Sequence, residues 1–218
     1  MQLDQGESAA GPWRVVPLGE LVELLRTASP PGVGRPRVVA IDGRGGAGKS
    51  TLVRRLLAQV RRSAVVHTDD VAWHHSSFDW AGVLAEHVLE PLRRGEAVDF
   101  RPQPWVERGR PGSIVVPQGL ETVWVEGTGV LRGCLAPLLD ASVWVQVDRR
   151  DAGRRLLERD GDAPGQLLHA EEWLREERPF LLRERPWERA TIVLAGSPVL
   201  DHDPATQVVV APPVASRR

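Results

Sequence analysis

Apolar residues recur along this chain in two rhythms, one near every third or fourth position and one at alternate or successive positions, and the changes between them mark out helices and strands. Leu18, Leu21, Val22 and Leu25 fall at helical spacing and predict a helix over residues 17–28. The breaker Ser29-Pro30-Pro31-Gly32-Val33-Gly34 ends it, and residues 37–41 then read as a short buried strand. Leu52, Val53, Leu56, Leu57 and Val60 share one face of a second predicted helix, 49–62. A strand over 63–67 runs into Thr68-Asp69-Asp70, and a helix over 81–94 is closed by Gly95. Alternation at 97–100 and 113–116, around a middle rich in Pro, Arg and Gly, predicts a hairpin lying over the site. The apolar runs 121–125 and 142–147 stop at Glu126-Gly127 and Asp148, as two parallel strands with acidic ends pointing the same way. Residues 149–159 and 166–185 read as helices, the second bent by Pro179, and 191–194 as a last strand. Strands alternating with helices predict an α/β fold: a parallel, doubly wound sheet flanked by helices.

Length and composition narrow this picture. The 218 residues, 24.0 kDa, suit one α/β domain over 17–197 with a mobile appendage, and no internal repeat is visible. Residues 1–16 read as a disordered tail and 198–218 as a second tail, in which Val208 to Val210 could add an edge strand. With 28 basic and 29 acidic residues the formal charge is −1, so no global field attracts nucleic acid or anionic lipid. The single cysteine excludes an intramolecular disulfide, and Cys134, among Leu131, Leu135 and Leu138, reads as a packed helix residue. No apolar run reaches the ~18 residues of a membrane helix, and Met1-Gln2-Leu3-Asp4-Gln5 lacks a signal-like pattern. The expectation is a soluble cytoplasmic protein whose partner is a small molecule, with homo-oligomerisation left open.

The chemistry is concentrated at one place. The chain holds 27 arginines and one lysine, Lys49, and that lysine sits in Gly43-Arg44-Gly45-Gly46-Ala47-Gly48-Lys49-Ser50. This matches the G-x-x-x-x-G-K-[ST] phosphate loop, between a predicted strand and a predicted helix as the motif requires. An ammonium is compact enough to fold along a glycine loop onto β- and γ-phosphates, where a guanidinium fork is too wide. The loop residues Gly43 to Ser50 are therefore candidate ATP ligands, with Thr51 in reach of the α-phosphate. Ser50 is a candidate Mg2+ ligand, and Glu126 and Asp69, at neighbouring strand ends, are candidate metal carboxylates. Either Asp69 or Asp70 could take the proton of an attacking hydroxyl. Asp79, with Trp105 and Arg108 on the hairpin, are the candidate acceptor contacts, and Trp73, Trp80 and Trp105 could stack on a base. Arg149, Arg150, Arg154, Arg155 and Arg159 crowd one helix, either as a solvated face or as a lid over about 149–165 that stabilises transferring phosphate, with Arg159-Asp160-Gly161 its critical segment. The histidines, His74-His75 included, show no metal-ligand pattern.

Taken in order, the phosphate loop, Asp69-Asp70, Phe78-Asp79, Leu92 to Gly95, Val125-Glu126-Gly127, Val147-Asp148 and Arg159-Asp160 resemble the uridine kinase and phosphoribulokinase-like branch of P-loop kinases over about residues 37–196. The resemblance implies Asp69 as catalytic base, Asp79 as holder of ribose hydroxyls, Glu126 as a Mg2+ ligand and Arg159 as a lid residue on the phosphates. It departs where the acceptor is chosen. The family's Asp-x-Phe-Tyr is here Asp69-Asp70-Val71-Ala72-Trp73, and its Pro-x-Tyr-Asp is Pro102-Gln103-Pro104-Trp105. Three activities fit these residues: an ATP- and Mg2+-dependent kinase of a nucleoside such as uridine or cytidine, a kinase of a pantothenate-like compound, sugar or antibiotic, or a regulatory nucleotide-binding module.

Overall fold

The computed structural model describes residues 1–30, 32–75, 78–160, 164–197 and 200–214, with side chains omitted at 160 and 164–170. In chain order the strands are β1 (Arg14–Pro17), β2 (Arg37–Gly43), β3 (Ser63–His67), β4 (Val98–Phe100), β5 (Ile114–Val116), β6 (Thr122–Glu126), β7 (Ala141–Gln146), β8 (Ile192–Ala195) and β9 (Gln207–Ala211). The helices are α1 (Leu18–Ala28), α2 (Lys49–Gln59), α3 (Thr68–Ala72), α4 (Ala81–Leu84), α5 (Glu90–Arg93), α6 (Gln103–Glu107), α7 (Arg149–Asp160) and α8 (Pro164–Glu184). Seven strands form one sheet in the order β1-β9-β8-β7-β2-β6-β3, parallel from β8 to β3, with β9 antiparallel to both β8 and β1.

Strand β2 lies mid-sheet and all seven of its residues are buried, as expected of a parallel strand covered on both faces. Its side chains alternate between two layers. Val39 and Ile41 pack with Leu21, Leu25, Leu52, Leu56 and Trp124 under α1 and α2. Val38 and Ala40 face Leu84, Val88, Leu92, Val123 and Trp105 on the other side. Parallel pairing places β2, β3, β6 and β7 with their C-terminal ends at one edge, where the chemistry gathers. Among the described residues no helix is long and apolar enough to cross a membrane.

Several expectations are corrected. Residues 1–16 are not a loose tail: Arg14–Pro17 is the edge strand, and Asp4 and Glu7 are buried against the domain. Polar composition predicted disorder, but those acids are matched by buried Arg44. The 198–218 tail contributes β9, which is interior because β1 covers it. The single helix expected over 81–94 is α4 and α5 joined by a π-helical turn, Ala85–Leu89. The π turn immediately precedes Glu90-Pro91, where proline lacks the N–H that would reach the His87 carbonyl. Cys134 is exposed in a run of turns, not packed in a helix; Leu131 and Leu135 supply the buried positions there.

Candidate active site

The phosphate loop joins β2 to α2, and the left-handed conformations its bend requires fall at Gly46 and Gly48, φ 77° and 97°. Lys49, the first residue of α2, folds back along the loop. Its Nζ donates to the carbonyls of Gly43 and Arg44, both at 2.9 Å, and to Thr128 Oγ1 at 3.1 Å. The α2 N-terminus and the loop residues Gly45 to Ser50 line a cavity of about 1070 Å3, a ready anion site.

Strand register brings the acids to the same place. Ile41 of β2 lies beside Glu126 of β6, which lies beside His67 of β3, and Asp69 follows two residues later on α3. Ser50 Oγ donates to Glu126 Oε1 at 3.2 Å, and His67 Nδ1 is 2.7 Å from Glu126 Oε2. Burial pushes the Glu126 carboxyl up, but the His67 hydrogen bond, Lys49 and Ser50 outweigh it and leave the group below its ordinary value. The same contact holds His67 above its ordinary value against the opposing effect of burial. Two hard oxygens, one an ionised carboxylate, lie within hydrogen-bonding distance beside the loop, a donor set that suits Mg2+ with waters completing its shell. Burial raises the Asp69 carboxyl, opposed by Lys49 and reinforced by Glu126. Asp69 lines the cavity; Asp70 instead pairs with Arg110 at 2.6 Å and does not.

The remaining walls come from α7 and α8. Arg155, Leu156 and Arg159 of α7 line the cavity, and Arg155 also bonds Gly196 O at 3.0 Å and Ser197 Oγ at 2.8 Å. Trp173 of α8 lines it too and packs on Phe78, with ring centres 5.1 Å apart. Glu177, one turn further along, accepts from the Gly45 N–H at 2.6 Å and from Trp173 Nε1 at 3.3 Å. Burial lifts its carboxyl above the ordinary value, with the Gly45 amide opposing. Asp42, wholly buried at the end of β2, accepts the N–H groups of Gly43, Gly129 and Leu131 at 2.7, 2.9 and 2.7 Å. It thereby ties the phosphate loop to the turn after Glu126, and burial pushes its carboxyl up to about 6.

Of the residues singled out from sequence, Gly45, Gly46, Ala47, Gly48, Lys49, Ser50, Thr51, Asp69, Trp73, Glu126, Arg155 and Arg159 meet at this cavity, and His74 and His75 also line it. Others do not. The Arg44 side chain turns away into the cluster with Asp4 and Glu7, and Gly43 sits beneath the loop against Val145. Asp79 is exposed and outside the cavity wall. Trp105 is buried, its Nε1 donating to Asp70 O at 2.9 Å, and Arg108 is exposed beside Glu107. The β4-β5 hairpin carries α6 within it and packs on the sheet; neither strand lines the cavity. The arginine run divides: Arg155 and Arg159 face the cavity, while Arg149 and Arg154 pair with Asp4 and Asp151. The lid segment continues through Gly161 to 163, which lie outside the described residues. Sequence reasoning missed Asp42, His67, Thr128, Trp173 and Glu177. Asp42 and Thr128 directly flank motif residues and were findable; nothing in α8 distinguishes Glu177 from Glu172 or Glu176.

No protein-family model and no curated protein matches the chain in sequence. Solved structures do match in shape. A protein provisionally described as a fructose transport system kinase from Silicibacter sp. TM1040 superposes with TM-score 0.60 at 19% identity, covering 78% of this chain and 95% of that one. D-glycerate 3-kinase from Cryptococcus neoformans var. grubii gives 0.57 at 13% identity, covering 82% and 93%. A protein provisionally described as a uridine kinase from Bacillus stearothermophilus gives 0.51 at 19% identity, covering 80% and 98%. With its phosphate loop set between β2 and α2 in a mostly parallel sheet, this chain has the fold of the P-loop kinases.

Proposed function

We propose that this protein is an ATP- and Mg2+-dependent kinase that transfers the γ-phosphoryl group to a hydroxyl of a small molecule, with a uridine- or cytidine-like nucleoside as the first acceptor to test. The observation that carries this reading is convergence: Lys49, the Ser50–Glu126 pair, Asp69, Arg155 and Arg159 line one cavity of about 1070 Å3. The loop amides and Lys49 would bind the β- and γ-phosphates of ATP, and Ser50 and Glu126 would hold Mg2+, which neutralises phosphate charge when bound. Asp69 accepts the proton of the acceptor hydroxyl as that oxygen bonds the γ-phosphorus and the bond to the β-phosphate oxygen breaks, so that ADP leaves with the bonding electrons. Arg159 stabilises charge on the transferring group, and α7 and Trp173 limit access of water to it.

A second reading, a non-nucleoside acceptor, is favoured by one observation: Asp79, to which the family resemblance assigns the ribose hydroxyls, stands outside the cavity wall. An acceptor panel separates the two. Purified protein is given MgATP with nucleosides, sugars, hydroxy acids and pantothenate-like alcohols, and ADP release is followed against a no-acceptor control. Acceleration by a nucleoside supports the first reading and by another alcohol the second. Tight nucleotide binding with turnover indifferent to every acceptor would favour a regulatory module instead. Asp69→Asn should lower turnover by ~10²-fold or more if Asp69 is the general base; a near-normal rate removes it from that role.

A further inference from the structure

The segment ahead of β1 reaches the underside of the phosphate loop. Arg44, only 2% exposed, donates Nη1 to Asp4 Oδ2 and Nη2 to Glu7 Oε2, and those two acids are 5% and 7% exposed. Glu7 is itself fixed: its Oε1 accepts from Trp144 Nε1 at 2.9 Å and Gln146 Nε2 at 3.1 Å, both on β7. Gln146 Oε1 in turn accepts the Ala10 N–H at 2.9 Å. Asp4 Oδ1 lies 3.8 Å from Arg149 Nη1, at the start of α7, and 3.5 Å from Arg178 Nε, on α8. Gln2 bonds the same corner through its backbone, its N–H to Asp148 Oδ2 at 2.5 Å and its carbonyl to the Arg149 N–H at 2.9 Å. Residues 2–10 are thus a strap across the sheet, with acids that touch the loop and both helices of the cavity roof.

Buried ion pairs contribute little net stability, because desolvation offsets their attraction and apolar packing of equal volume serves as well. What such a pair does supply is a fixed position, and here the fixed group belongs to the nucleotide site. The Arg44 carbonyl and its neighbour at Gly43 are the seats of Lys49 Nζ. We propose that Asp4 and Glu7 are positioning residues for phosphate binding: by anchoring the Arg44 side chain beneath the loop they hold its carbonyls where Lys49 needs them. Through Asp4, the strap also registers α7 and α8 to the same loop. The inference rests on the nucleotide-binding reading above.

The test is a double-mutant cycle on the full chain, with MgADP affinity measured by calorimetry so that no acceptor is required. Glu7→Gln keeps an oxygen for Trp144 and Gln146 but replaces the charged oxygen that accepts from Arg44 with an amide nitrogen, and should weaken MgADP about tenfold, a coupling of the size contacting neighbours show. In an Arg44→Ala background the same Glu7→Gln change should alter affinity less than about twofold, because the group it acts through is gone. Loss of general stability would instead lower the melting temperature in both backgrounds without that dependence. Should Glu7→Gln not fold, Asp4→Asn carries the same comparison. Unchanged affinity in the single variant, or an equal loss with and without Arg44, overturns the proposal. A wild-type chain that binds no MgADP overturns the nucleotide reading itself, and this proposal with it.

Discussion

Helix α7 lies directly on the phosphate loop, and one glycine makes that approach possible. A Cβ at Gly46 would stand 2.1 Å from the carbonyl oxygen of Ala152 on α7, where atoms closer than 3.0 Å must move apart. Gly46→Ala would therefore push α7 back by roughly 0.9 Å, the difference between those two distances. Two costs add. Holding alanine at φ 77° costs ~1–2 kcal/mol, and overpacking against backbone a further ~1–3 kcal/mol, together ~2–5 kcal/mol. For a chain of this size each kcal/mol lowers Tm by ~2–4 °C, so a drop of ~4–20 °C is expected. Gly48→Ala isolates the first cost: φ there is 97°, yet nothing lies within 4 Å of its Cβ. That variant should lose only ~2–8 °C. Thermal unfolding of the two variants side by side reads the contact as their difference. Equal melting temperatures would mean that α7 does not rest on the loop. The functional corollary is that Arg155 and Arg159 recede with the helix, and ~1 Å of misplacement can cost ~10²-fold in turnover.

Asp69 and Asp42 give opposite kinds of pH dependence. Asp69 must be ionised to act as base and burial raises it above 3.8, so kcat/KM should fall on acidification with a midpoint above that value, and Asp69→Asn should abolish that limb. For Asp42, 3.8 unfolded against about 6 folded means the folded state holds the proton more tightly. Stability should therefore fall as pH rises through that window, by about 3 kcal/mol from this group. Urea unfolding of wild type and Asp42→Asn between pH 4 and 7 tests it, and parallel curves would refute it. Glu126→Gln should raise the Mg2+ concentration needed for half-maximal activity by ~10-fold or more while leaving nucleotide binding without metal largely intact; an unchanged Mg2+ requirement removes Glu126 from the metal site.

The central strands were legible because burial on both faces leaves β2, β6 and β7 as uninterrupted apolar runs, and the phosphate loop because its motif is local. Asp69, Glu126 and Arg159 were reachable for the same reason: each closes or follows an element whose period could be read. The strap was not. Met1 to Ala10 has no periodicity, and its order comes from two acids meeting one arginine more than thirty positions away, which no window along the chain contains. Trp105 and Arg108 stand out in sequence because an aromatic and a cation in a polar loop read as ligand contacts, whereas in the fold Trp105 fills the layer beneath the hairpin. Arg110, not Arg108, stacks on it, with its charge 3.6 Å from the ring centre. Glu177 was invisible because its partner is a main-chain amide, and amides leave no trace in side-chain pattern.

Strand β9 sits between β8 and β1, so residues 14–17 at the sheet edge pair with residues 207–211 and, among the described residues, with no other strand. This pairing joins the two ends of the chain across a span of 196 residues between Arg14 and Val210 (210 − 14). The segment that braces Arg44 is continuous with β1, so the edge from which the brace departs is completed by the carboxyl-terminal strand. A chain clipped before Gln207 would keep its motif intact and leave β1, which leads out of the brace, without a strand to pair with.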